Sequence, residues 1–202
     1  MKLKDPNRTF RIFVTGKPGC GKTTLIKKLA SLLQSQGISF SGFYTEEIRK
    51  AGTRVGFRLC SWSGDCGFLA HVGLSSSVRV GKYGVSLKSI ENIAIPAMAE
   101  TSSVNLFLID EIGKMECASP TFRSAIISLL DSQVHLVATI PLKGPDFIES
   151  LCKSYSASRF TLTPKNRDQV LSDILSILAV PFPRLQILSP SGAPPKQDKE
   201  SG

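Results

Sequence analysis

The chain has 202 residues, 42% hydrophobic and 20% charged, an ordinary globular composition long enough for one domain with a sizeable core. Lys and Arg number 25 and Asp and Glu 16, so the formal charge is +9, which suits phosphate-rich partners. The basic residues are scattered with no run of five, so nucleic-acid binding is the weaker reading of that charge. Five cysteines without C-x-x-C spacing, and two histidines remote from them, argue against a disulfide framework or a zinc site and for a reducing compartment, simplest the cytoplasm.

Residues 1–10 form an N-terminal extension without the apolar core of a signal peptide. "RIFVTG", from Arg11, reads as a short buried strand. "KTTLIKKLASLLQSQG" follows as a helix, with Leu25, Ile26, Leu29, Leu32 and Leu33 at helical spacing and Gly37 as its stop. "ISFSGFYTEEI" is a second strand. Residues 54–72 alternate in a β-like way around "SGD" and predict an inserted antiparallel hairpin. "SLKSIENIAIPAMAE" predicts a helix, irregular around Pro96.

"VNLFLIDE" is a strongly apolar strand ending in two acids. "SPTFRSAIISLLDS" is a helix with Ser119 as N-cap and Pro120 in its first position. "VHLVATI", "GPDFIESLCK", "RFTLT" and "PKNRDQVLSDILSIL" continue the alternation as strand, helix, strand and helix. The stretch 180–202, rich in Pro, Ser, Gly and charge, reads as a mostly disordered tail. No stretch is long and apolar enough for a single membrane-spanning helix. Residues 11–179 therefore form one α/β domain with a mostly parallel sheet covered on both faces, and ligands of such sheets bind at the carboxyl ends of the strands.

Two stretches at those ends carry the chemistry. Gly16, Lys17, Pro18, Gly19, Cys20, Gly21, Lys22 and Thr23 fit G-x-x-x-x-G-K-[ST] in full, between a strand and a helix. Glycines let backbone N–H groups wrap a phosphate chain, and the helix N-terminus adds partial positive charge. Lys22 is placed to reach the β- and γ-phosphates, and Thr23 to bind Mg²⁺. Asp110, at the tip of "LFLID", is the expected second Mg²⁺ partner, and Glu111 would orient and polarise a water at the γ-phosphate. Lys22 and Glu111 are thus the candidate catalytic residues. The roles open to Thr139, Glu46, Glu47, Asn166, Arg167, Lys143 and Arg123 each compete with a plain structural one.

Taken together, "TGKPGCGKTTLI", "SGFYTEEIR", "GTRVGF", "VGKYGVSL", "LIDEIGKME", "ATIP" and "TPKNR" resemble, in order and over roughly residues 10–178, the small P-loop nucleoside-triphosphatases. The resemblance implies a RecA-like or adenylate-kinase-like three-layer sandwich. It also implies Mg²⁺-dependent hydrolysis of ATP, GTP, CTP and UTP to diphosphates with broad base tolerance. An additional nucleotide-contacting segment is implied at Leu106, Phe107, Leu108, Ile109, Asp110, Glu111, Ile112 and Gly113. Two readings compete with hydrolysis: a small-molecule or nucleotide kinase with an unknown acceptor, and a nucleotide-switched module binding RNA or protein.

Overall fold

The computed structural model describes residues 9–99, 104 and 106–188. Among them, nine strands form one sheet: β1 (Arg11–Gly16), β2 (Ser41–Lys50), β3 (Thr53–Ser61), β4 (Cys66–His71), β5 (Arg79–Val80), β6 (Tyr83–Val85), β7 (Leu106–Ile109), β8 (His135–Pro141) and β9 (Ser158–Thr161). Their order across the sheet is β5-β6-β4-β3-β2-β7-β8-β1-β9. The helices are α1 (Lys22–Ser35), α2 (Leu87–Ser89), α3 (Ile95–Ala99), α4 (Pro120–Asp131), α5 (Asp146–Ser154) and α6 (Arg167–Leu178).

The central strands are apolar throughout because both faces are covered. Alternation along each strand sends successive residues to opposite cores. Ile12, Val14, Leu106, Leu108 and Val137 meet α1 and α6; Phe13, Phe107, Ile109, Leu136 and Ala138 meet α3, α4 and α5. This is a three-layer α/β sandwich. Five strands, β2-β7-β8-β1-β9, run parallel. Their carboxyl ends carry both the glycine loop and the two acids.

β2 changes the character of the sheet. One edge pairs parallel with β7, and the other pairs antiparallel with β3 over eight residues, from Phe43 to Lys50. Gly42 permits the close approach: at φ +111°, a Cβ there would lie 2.3 Å from the Leu108 carbonyl oxygen. The predicted hairpin is present as β3 and β4, and β6 and β5 extend it antiparallel. Those last two strands have three and two residues, too short for alternation to register in the sequence.

Ser119 caps α4 as expected, its hydroxyl accepting from the Phe122 amide at 3.2 Å. The irregular helix near Pro96 is a π-helical segment, Ile90–Ala94, between α2 and α3. Pro96 has no amide hydrogen to return to the preceding turn.

Two expectations are corrected. Cys60 and Cys66 form a disulfide, with Cα atoms 4.2 Å apart. They are directly opposed across the β3–β4 hairpin, a proximity created by strand pairing rather than by nearness in the chain. The tail is not disordered from residue 180. Leu178 and Phe182 lead into a 3₁₀ turn, Pro183–Leu188, and Leu185 is fully buried against the α1–α6 core. Burial of those side chains overrides the breaker-rich composition. The remainder of the expected tail, 189–202, and most of the expected N-terminal extension lie outside the described residues. Among the described residues, no helix is long and apolar enough to cross a membrane.

Candidate functional site

The loop between β1 and α1 turns back on itself through Gly19 at φ +75° and Gly21 at φ +108°. Its residues Gly16, Pro18, Gly19, Gly21, Lys22 and Thr23 line a cleft of about 1010 Å³ at the carboxyl edge of the sheet. The Lys22 ammonium lies inside the loop and donates to the Gly16 carbonyl at 3.2 Å. Arg167, the first residue of α6, fixes the loop from outside: its Nε donates to the Cys20 carbonyl at 2.7 Å. Asn166 serves the preceding turn, accepting from the Thr163 amide at 2.7 Å. Cys20 is buried in the α1 core, and neither it nor exposed Lys17 lines the cleft.

Asp110 follows β7 and is almost wholly buried. Its Oδ1 accepts from the Thr139 hydroxyl at 3.2 Å, and its Oδ2 from the Thr45 hydroxyl at 3.3 Å. Burial raises its pKa, opposed by hydrogen bonds that include one from Thr23. Thr139, inside β8 two residues before its end, is thereby tied to this carboxyl group. Among the described residues Asp110 has no ion pair. A buried carboxylate without a cation, next to the Thr23 hydroxyl, is a hard oxygen donor set that fits Mg²⁺, which keeps much of its shell as water and phosphate oxygen.

Glu111 lines the cleft. Its backbone is left-handed at φ +109°, costly for a residue with a Cβ. Burial raises its pKa, the Lys22 charge lowers it and the Asp110 charge raises it. Of the segment Leu106 to Gly113, Glu111 is the residue whose side chain reaches the cleft. Leu106, Phe107, Leu108 and Ile109 are fully buried between the two cores, and Ile112 is buried beside them.

The far wall holds Glu46, Glu47, Arg49, Arg54 and Phe57, and Lys143 closes the side near β8. Glu46 pairs with Lys27 at 2.5 Å. Glu47 pairs with Arg49 at 2.5 Å and with Arg54 at 2.8 Å. Arg54 holds the Glu47 pKa below the usual carboxylate range. Arg123 is not brought to the cleft; it donates to the Cys117 carbonyl at 3.2 Å.

Sequence reasoning missed Thr45, a partner of Asp110, and Glu116, a carboxylic acid only 3% exposed behind the Glu111 turn. The available signals were a hydroxyl inside "GFYTEE" and an acid inside "LIDEIGKME".

The family profile described as NTPase matches residues 11–175. Nucleoside-triphosphatase THEP1 of Thermotoga sp. (strain RQ2) is 44% identical over 169 residues, covering 83% of this chain and 95% of the relative. The cancer-related nucleoside-triphosphatase of Homo sapiens is 40% identical over 179 residues, covering 82% and 94%. The crystal structure of THEP1 from Aquifex aeolicus superposes with a TM-score of 0.73 at 38% identity, covering 84% of this chain and 99% of that one. The solution structure of the human relative also gives 0.73, at 35% identity. With the phosphate loop, the paired acids and the sheet order already in hand, these likenesses over most of both chains establish that the protein belongs to the NTPase family.

Proposed function

We propose that the protein is a Mg²⁺-dependent nucleoside-triphosphatase that hydrolyses ATP, GTP, CTP and UTP to the diphosphate and phosphate. The observation carrying this reading is Glu111, a carboxylate held in the phosphate cleft by a strained backbone within electrostatic reach of Lys22. Glu111 accepts a proton from a water as the water oxygen bonds to the γ-phosphorus. The bond from that phosphorus to the β–γ bridging oxygen breaks, the diphosphate leaves with the electron pair, and the proton passes from Glu111 to solvent. The Lys22 ammonium and the loop amides bind the phosphate oxygens and the charge that develops on them. Thr23 and Asp110 would hold Mg²⁺, which supplies further neutralisation of phosphate charge when bound.

Hydrolysis is favoured over transfer to an acceptor because Glu46 and Glu47, the other carboxylates of the cleft, are each engaged by cations. The groups assigned here grip the triphosphate, not the base, which supports broad base tolerance.

Glu111→Gln tests the reading. The amide keeps size and hydrogen bonding but cannot act as a base. Nucleotide affinity is expected to stay near that of the parent, while single-turnover hydrolysis of all four triphosphates falls by roughly 10²-fold or more. Unchanged turnover at unchanged affinity would remove Glu111 from the mechanism.

A further inference from the structure

The geometry points to Glu116 as a positioning residue for the reaction, the group that holds Glu111 in place; we propose this on the reading of Glu111 as the base. Glu116 opens a 3₁₀ turn, Glu116–Ala118, and its carboxyl group is buried. Among the described residues it has no ion pair. The charges of Glu111 and Asp110 both oppose its ionisation. The adjacent cation on α4, Arg123, is spent on the Cys117 carbonyl. A carboxyl group in such a place is costly to the fold, and an apolar residue there would ordinarily be better for stability.

What Glu116 does hold is the turn after Glu111. Its Oε2 accepts from the Gly113 amide at 3.1 Å. A Cβ built on Gly113 would lie 2.8 Å from that oxygen, and 3.0 Å from the Glu111 Cγ. The two acidic side chains therefore flank one backbone unit, in a gap that only glycine leaves open. The chain leaving Glu111 is tied at two successive amides: Ile112 to the Thr139 carbonyl at 2.9 Å, and Gly113 to Glu116. The first tie belongs to the sheet. The second is a side chain, and it lies on the side of the turn facing Glu111. With it removed, a buried N–H is left without a partner beside a strained φ, and the turn relaxes to satisfy it. Glu111 is then displaced from the attacking water, while the loop and the metal residues stay where they are.

The test compares the parent, Glu116→Gln, Glu116→Met and Glu111→Gln in Mg²⁺ and ATP. Kd, KM, single-turnover rate and thermal midpoint are measured for each. Glu116→Gln keeps an acceptor for the Gly113 amide and is expected to turn over within about threefold of the parent. Glu116→Met removes the acceptor at similar volume. Its rate is expected to fall at least tenfold, with KM and Kd within threefold and the thermal midpoint equal to or above that of the parent. A Glu116→Met rate equal to the parent's overturns the proposal. So does equal loss in Glu116→Gln and Glu116→Met, which would show that the hydrogen bond to Gly113 is not what matters. A lowered midpoint that accounts for the lost rate, in an unfolded fraction, also overturns it. The Glu111→Gln control separates the two ideas: if it keeps the parent rate, the reading of Glu111 fails, whatever Glu116 does.

Discussion

Glu116 has a pKa raised well above its ordinary 4.5, first by burial and then by the Glu111 charge. In the unfolded chain its proton leaves near that ordinary value; in the folded protein the proton stays on as the pH climbs further. The folded state therefore binds more protons over this window, and the stability Glu116 contributes at acid pH is lost as the pH rises. Glu116→Met has no proton to retain. Its thermal midpoint is expected to gain on the parent's steadily from acid to neutral pH, and a constant offset between the two curves would show that Glu116 is not held protonated. Cys117 next to it is likewise pushed up by burial, to about 12, so its thiol stays protonated at neutral pH. These residues mark the limit of what sequence could tell. The glycine loop was legible because its motif is eight consecutive residues, so composition and spacing suffice to recognise it. Glu116 was not, because its role arises from standing behind Gly113 in three dimensions; in the chain it is one more acid after a pair of acids.

Among the elements, α6 does more than cover the sheet. Its first residue, Arg167, reaches the phosphate loop across 147 residues of chain and bonds the Cys20 carbonyl. The loop is thus held from the helix start of α1 and from the N-terminus of α6. Arg167→Ala removes the second support without touching the phosphates directly. A bond from a charged donor of this kind is worth about 1.5 kcal/mol, roughly tenfold in an equilibrium constant. Nucleotide affinity, measured by titration calorimetry, is expected to weaken by about that factor, with the rate at saturation little changed. A large fall in the saturated rate at unaltered affinity would contradict this role. The sequence left Arg167 between an approach to the base or phosphates and a helix-start contact; in the structure it begins α6 and its side chain bonds the glycine loop. Element types along the parallel half were legible from apolar runs and glycine stops. β5 and β6 were not, since strands of two and three residues are held by neighbours rather than by any pattern of their own.

At the scale of the molecule, the sheet joins a parallel half, which carries the glycine loop and the paired acids, to an antiparallel wing through the single strand β2. The wing carries the Cys60–Cys66 disulfide, which closes a loop of six residues. The chain-entropy estimate for so short a loop is about 2 kcal/mol. Reduction is therefore expected to lower the denaturation midpoint by a corresponding amount while leaving the saturated hydrolysis rate intact, since neither cysteine lines the cleft; loss of activity on reduction would show that the bond also holds Arg54 and Phe57 in the cleft wall. The shared strand also sets an order of assembly. Every pairing in the wing joins segments close in the chain, so its loops cost little to close and can form early. β1 is different: its neighbours are β8 and β9, and the Phe10 amide just before it meets His135 across 125 residues. During vectorial synthesis the strand that leads into the phosphate loop leaves the ribosome first, yet it has no seat until β8 has followed it. Nascent chains halted between β4 and β8 would carry the whole glycine loop and still lack the scaffold that aims it. On the proposed reading, the capacity to grip a triphosphate would arrive only once β8 has been made and paired with β1.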